Sequence, residues 1–293
     1  MKITICKTAG LCGGASRAYN SVIKSLEENG KAFVYKELLH NEALINDLKS
    51  KGAHFDDNIK NANNEDIVVL RAHGEEKYIY DYLNENNISY IDAICTNVKH
   101  VHNVALEKQN EGYRIIVVGK YKNGEYHDEI KSLVSFLKDP ILIHSIESAM
   151  QVKLNHNEKY FLVSQTTFNE KLLNDTVCVL SNKAKELEIE FDYKNTICNF
   201  PILNIQESIK LASVSDISIV VGSSNSSNTT ELYNAVKNLS FTIFSNDLNY
   251  IKNQVENYVL SNNLDRENVN ICILAGASTL KENLQNLKIL LEK

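Results

Sequence analysis

The sequence predicts an α/β fold with parallel sheets, and three features of the chain lead there. Short β-branched runs recur from one end to the other. Helical stretches separate them. Several runs open into loops of small and polar residues. Strands alternating with helices build βαβ units, whose strands pair in parallel.

Taken in order, the runs predict strands at 2–6, 32–36, 67–71, 114–118, 140–144, 160–164, 217–221, 241–244 and 270–274. Their residues favour a pleated, buried surface. Helical patterns between them cover 16–29, 98–109, 169–187, 229–237 and 279–291. The 293 residues supply core for two or three domains.

The six cysteines fall into two sets. Cys6, Cys178 and Cys272 lie inside apolar runs and read as small core hydrophobes. Cys12, Cys95 and Cys198 each close an apolar run and open a polar turn. They recur at intervals close to the size of one small α/β unit. This rhythm predicts three similar lobes meeting at the cysteine loops: 13–95, 96–197, and 1–12 joined with 198–293. Three loop-edge thiols far apart in sequence point to a metal or cluster assembled by folding.

Composition narrows the function. The net charge is −6, with no long Lys or Arg run, which argues against nucleic acid as a partner. No stretch reaches the roughly 18 apolar residues of a membrane helix. The first residues are too short and β-branched for a signal peptide. A cytoplasmic, reducing location follows, and it disfavours disulfides.

In parallel sheets, ligands bind where strands end and helices begin. The run at 217–221 opens into Gly222-Ser223-Ser224-Asn225-Ser226-Ser227-Asn228, dense in neutral donors beside a helix N-terminus. Such a loop suits a phosphate, although Ser227 or Asn228 would equally cap the helix with no ligand. His73 follows a strand directly, and His40 sits at a similar break. Imidazole can donate to phosphate and move protons near neutral pH. Glu125 lies in a Gly-flanked loop after a strand and is a candidate proton carrier. His100 and His102 beside Cys95 mimic a metal spacing but sit on a helix and point apart.

These pieces, in this order, resemble the 4-hydroxy-3-methylbut-2-enyl diphosphate reductase family, also called IspH or LytB. The resemblance spans nearly the whole chain. It rests on Leu11-Cys12-Gly13-Gly14, Leu39-His40-Asn41, Arg71-Ala72-His73-Gly74 and Asp92-Ala93-Ile94-Cys95. It continues through Gln165-Thr166-Thr167, Thr196-Ile197-Cys198, the Ser/Asn loop and Ala275-Gly276-Ala277-Ser278. It implies a trefoil of three α/β lobes around a [4Fe-4S] cluster, with Cys12, Cys95 and Cys198 each on one iron and the fourth iron open. It implies that His40, His73, Asn123, Ser226, Ser227, Asn228 and Ser278 hold a diphosphate. Glu125 and Thr166 would lie near the substrate hydroxyl. The implied reaction is reductive dehydroxylation by two electrons and two protons, with ferredoxin or flavodoxin as donor.

The chain departs from that pattern in four places. The family's loop histidine falls on Asn123. Thr96-Asn97 replaces Pro-Leu after Cys95. The run after Cys198 is Asn199-Phe200-Pro201-Ile202-Leu203-Asn204-Ile205-Gln206. Leu274 and Leu280 stand where Thr and Pro are common. These departures leave two alternatives open: a related cluster reductase acting on another small substrate, and a non-catalytic iron–sulfur sensor or carrier.

Overall fold

The computed structural model describes the chain except residues 39–41, 223–225 and 278, and the side chains of 42, 43 and 227. It opens with β1 (Lys2–Ile5), α1 (Gly13–Asn29), β2 (Ala32–Tyr35), α2 (Glu42–Ser50) and β3 (Ala53–Asp56). Next come β4 (Ile67–Leu70), α3 (Lys77–Glu85), β5 (Ser89–Asp92), α4 (Thr96–Asn110) and β6 (Tyr113–Val118). A small hairpin, β7 (Tyr121–Lys122) and β8 (Glu125–Tyr126), precedes α5 (Asp128–Val134). Then follow β9 (Ile141–Ile143), α6 (Ile146–Gln151), β10 (Lys159–Ser164), α7 (Glu170–Glu186) and β11 (Phe191–Lys194). The chain continues through α8 (Phe200–Ala212), β12 (Ile217–Val221), α9 (Ser227–Val236) and β13 (Phe241–Ser245). It closes with α10 (Leu248–Ser261), β14 (Asn270–Ala275) and α11 (Lys281–Glu292).

Contacts divide the chain into two units. The first is Met1–Ser16 with Asn199–Lys293, and the second is Arg17–Cys198. The first holds one four-stranded sheet, β1-β14-β12-β13. The second holds two, β3-β2-β4-β5 and β11-β10-β6-β9. Every pairing in these sheets is parallel.

The three sheets share one strand order. The first strand (β2, β6 or β12) takes its successor on one side. The third (β4, β10 or β14) crosses to the other side, and the fourth lies beyond it. In the first unit that fourth strand is β1, drawn from the opposite end of the chain. The order therefore reverses between the first and third strands of each sheet. Loops leaving that switch point diverge and open a crevice at the strands' carboxyl ends. They are the loops after β2 and β4, after β6 and β10, and after β12 and β14. Each of Cys12, Cys95 and Cys198 follows a fourth strand and leads into a helix.

All nine strands expected from the sequence are present. Their central members are buried on both faces, so they read as unbroken apolar runs: Val68, Val69, Leu70, Ile115, Ile116, Val117 and Val118 have no exposed surface. Each fully buried Ile or Leu contributes about 1.5–3 kcal/mol. The sequence reading missed β3, β5, β11 and the hairpin. Helix α5 packs close to the end of β6, where Gly119 leaves room for Ile130. No described helix is long and apolar enough to cross a membrane.

Candidate active site

In the second unit, the chain turns sharply after β4. Gly74 adopts φ +77°, and a Cβ there would lie 2.7 Å from Ser132 Oγ of α5. Only glycine fits, and the turn sets His73 beside α5. The His73 ring meets the His127 ring edge-on, with centroids 5.2 Å apart. His127 caps α5, and its Nδ1 accepts the Glu129 backbone N–H at 3.2 Å. In the neutral ring, Nε2 therefore carries the hydrogen. Cys95 N–H donates to the Ala72 carbonyl at 2.9 Å, so the second cysteine segment is tied to the residue preceding His73.

Glu129 is the buried carboxylate of this unit's second switch point. Its Oε1 accepts the Thr166 N–H at 2.7 Å and its Oε2 accepts the Thr166 hydroxyl at 2.9 Å. Burial pushes its carboxyl up to about 7, against the pull of both Thr166 bonds toward the charged form. Thr166 is itself buried, and its carbonyl accepts the Cys198 N–H at 2.7 Å. One loop thus joins this buried carboxyl to the segment of the third loop-edge thiol. Gln165 extends the same loop, accepting the Lys120 N–H at 2.8 Å and donating to Thr167 Oγ1 at 2.9 Å. Asn97 Nδ2 lies 3.0 Å from Cys198 Sγ and donates to it.

Two of the expected site residues, Asn123 and Glu125, lie on a hairpin away from His73 and Thr166. Asn123 and Gly124 both have positive φ, at 54° and 87°, and they form the turn of the β7–β8 hairpin. An Asn-Gly pair is the preferred sequence for such a turn. Glu125 lies on β8, with a side chain 72% exposed and ion-paired to Lys131 at 2.5 Å. The groups meeting His73 and Thr166 are instead His127 and Glu129. His127-Asp128-Glu129 repeats the His-x-Glu spacing that the resemblance laid on Asn123–Glu125, four residues further along. The hairpin accounts for the offset. The Asn-Gly pair just before His127-Asp128-Glu129 was the signal that could have exposed it.

In the first unit, Cys12 directly precedes α1. Its N–H reaches the Ala277 carbonyl at 3.3 Å, and the Ala15 N–H donates to its Sγ at 3.4 Å. Ser226 caps α9, its Oγ accepting from Thr229 N at 3.4 Å and from Thr229 Oγ1 at 3.0 Å. A hydroxyl that accepts still has its own hydrogen to donate. Asn228 is exposed in the first turn of α9. Gly222 and Gly276, one in each switch-point loop, both sit close to the Thr229 side chain. His40, Ser278 and the Ser227 side chain lie outside the described residues.

The remaining cysteines differ in kind. Cys6 and Cys272 are buried, and burial pushes the Cys272 thiol up. Cys178 is exposed on α7. Cys12, Cys95 and Cys198 are half-buried at helix starts. Among the described residues, no three His, Cys, Asp or Glu side chains converge as they would on one metal ion.

Three like parallel sheets, each with small and polar residues on its strand-end loops, define an α/β protein built from one repeated four-stranded pattern. The sequence model of the LytB protein family matches residues 3–292. The chain belongs to the LytB protein family. It is 30% identical over 283 residues to 4-hydroxy-3-methylbut-2-enyl diphosphate reductase of Clostridioides difficile, covering 95% of each chain. The enzyme of the same name from Nitratiruptor is 31% identical, with 98% of each chain covered. That of Fusobacterium nucleatum is 32% identical over 98% of this chain, which spans only 34% of that longer relative. The solved structure of (E)-4-hydroxy-3-methyl-but-2-enyl diphosphate reductase superposes with TM-score 0.82 at 27% identity, covering 99% of both chains. The Plasmodium falciparum reductase structure superposes with TM-score 0.74 at 26% identity, covering all of this chain and 88% of that one.

Proposed function

We propose that this chain is an iron–sulfur reductase that removes the hydroxyl group of 4-hydroxy-3-methylbut-2-enyl diphosphate as water, leaving isopentenyl and dimethylallyl diphosphate. The names of its relatives support the substrate. Within the chain, one observation carries the reading. A buried carboxyl held near pKa 7 grips Thr166 through both oxygens, and Thr166 in turn holds the Cys198 backbone.

The donor set fits a [4Fe-4S] cluster. Cys12, Cys95 and Cys198 would each hold one iron, and the Ala15 and Asn97 N–H groups already point at two of the sulfurs. Thiolates on separate irons surround a cluster and do not meet at one point, in keeping with the lack of a single-ion site among the described residues. When bound, the cluster supplies electrons singly and an open iron with Lewis acidity. Ferredoxin or flavodoxin is the proposed electron source.

The chain's own residues do the rest. With its carboxyl pushed up to about 7, Glu129 can take or give a proton near neutral pH, and it stands with the Thr166 hydroxyl to serve the substrate hydroxyl. His73 and His127 donate to the diphosphate. Ser226, Ser227, Asn228, Ser278 and His40 are proposed to complete its donors. The roles first given to Glu125 and Asn123 pass to Glu129 and His127. The reaction balances as one hydroxyl, two electrons and two protons giving one C–H bond and one water.

The test is anaerobic. Purified protein should be brown, and Cys12→Ser, Cys95→Ser or Cys198→Ser should bleach it while Cys178→Ser does not. With a low-potential reductant it should turn over the diphosphate, and it should rescue a strain lacking the pathway reductase. A protein that refuses iron on reconstitution sinks the cluster. A brown protein that leaves the diphosphate unchanged sinks the substrate.

A further inference from the structure

We infer that Arg71 and Asp128 form a positioning pair that sets the first turn of α5 against the His73 loop. The inference rests on the diphosphate reading above and names the residues that aim its donors.

Arg71 ends the β4 run, and its side chain is only 6% exposed. Each of its three guanidinium nitrogens donates to a carboxylate. Nε and Nη2 donate to the two Glu75 oxygens at 2.5 and 2.9 Å, and Nη1 donates to Asp128 Oδ2 at 2.6 Å. Glu75 is buried, and Asp128 is one-third exposed. Asp128 lies between His127, the cap of α5, and Glu129 in its first turn, which meet His73 and Thr166. Successive helix residues point about 100° apart, so Asp128 turns away from the site toward Arg71.

Two further bonds tie α5 to the same loop. Ser132 Oγ donates to the Glu75 carbonyl at 2.9 Å, and the Lys77 N–H donates to Ser135 Oγ at 2.7 Å. Both act past the first turn. The Arg71–Asp128 bond instead grips α5 at the residue between His127 and Glu129.

Stability alone does not explain the pair. A buried ion pair is often no more stabilising than apolar residues of like volume. The planar guanidinium fork supplies direction instead, fixing two carboxylates in one geometry. One fork here orders the Glu75 side of the His73 loop and the α5 N-terminus together. Displacement of such groups by about 1 Å is enough to cost two orders of magnitude in rate.

The experiment compares Asp128→Ala, Asp128→Glu and Ser132→Ala in the cluster-loaded protein. Inorganic diphosphate binding is read by calorimetry, and substrate turnover is read beside it. Asp128→Ala is expected to weaken diphosphate binding about 10-fold and lower kcat by at least as much. Asp128→Glu should recover part of both. Ser132→Ala removes a tie of the same helix and should lower the melting temperature with binding and kcat kept. If Asp128→Ala does not fold, Asp128→Asn keeps the shape without the charge and carries the same comparison. Wild-type binding and turnover in the Asp128 variants, or equal losses in Ser132→Ala, overturn the inference. A wild type that ignores inorganic diphosphate overturns the diphosphate reading itself.

Discussion

Replacing Glu129 with Gln should make the protein more stable at alkaline pH and nearly inactive. Burial lifts the Glu129 carboxyl from an ordinary 4.5 to about 7. Its folded-state pKa is therefore raised. The group's contribution is fully present below about pH 4.5 and is lost as pH rises toward 7, because the unfolded chain releases its proton first. The gap corresponds to about 3 kcal/mol at pH 8. Gln carries no ionisation cost, its carbonyl still accepts one Thr166 donor, and the Thr166 hydroxyl can turn to accept from its amide. Urea denaturation under anaerobic conditions at pH 5, 6, 7 and 8 should show the two proteins nearly equal at pH 5. At pH 8 the variant should be ahead by roughly 1–3 kcal/mol. Turnover should fall about 10²–10⁴-fold, the usual worth of a positioned acid. A variant destabilised equally at pH 5 and pH 8 would refute the burial argument, and one with wild-type turnover would refute the proton role.

Three other outcomes follow from separate contacts. Gly74→Ala forces a Cβ against Ser132 Oγ in a left-handed turn and should cost about 1–3 kcal/mol in chemical denaturation, with a matching loss of diphosphate affinity. His102 is buried on α4 with Nε2 unbonded, and burial lowers it to about 4. Its folded-state pKa lies below the unfolded one, so stability should fall as pH drops from about 6.5 to 4, by roughly 3 kcal/mol, and His102→Phe should flatten that limb in acid titrations. Asn97→Ala removes the amide that donates to Cys198 Sγ. Electrochemical titration of the brown protein should then give a lower midpoint potential, since hydrogen bonds to cluster sulfurs favour the reduced form; an unchanged potential would mean that the amide turns elsewhere once iron is bound.

Legibility in the sequence follows burial. Central strands such as β4 and β10 are covered on both faces, so their side chains had to be apolar and the pattern was plain. The edge strands β5 and β11 are Ser-Tyr-Ile-Asp and Phe-Asp-Tyr-Lys, half or fully exposed, and an exposed strand need not look like one. The three thiols were legible for a different reason. Each breaks an apolar run at a polar turn, an odd place for a core cysteine. The hairpin was written in Asn123-Gly124 but was masked by a family pattern that could be laid across it without a gap.

What the sequence determined alone was the class of fold, the three loop-edge cysteines, and the order of His, Gln-Thr-Thr and Ser/Asn loops around them. Local chemistry was enough for these, because strand patterns and loop composition are properties of neighbouring residues. Which carboxylate is enclosed was decided only in three dimensions. Glu125 and Glu129 are four residues apart and chemically identical. One pairs with Lys131 in solvent, while the other is enclosed with Thr166. A carboxyl's proton affinity is set by what surrounds it, and for Glu129 its Thr166 partner comes from the loop after β10, a strand distant in sequence that parallel pairing with β6 brings alongside.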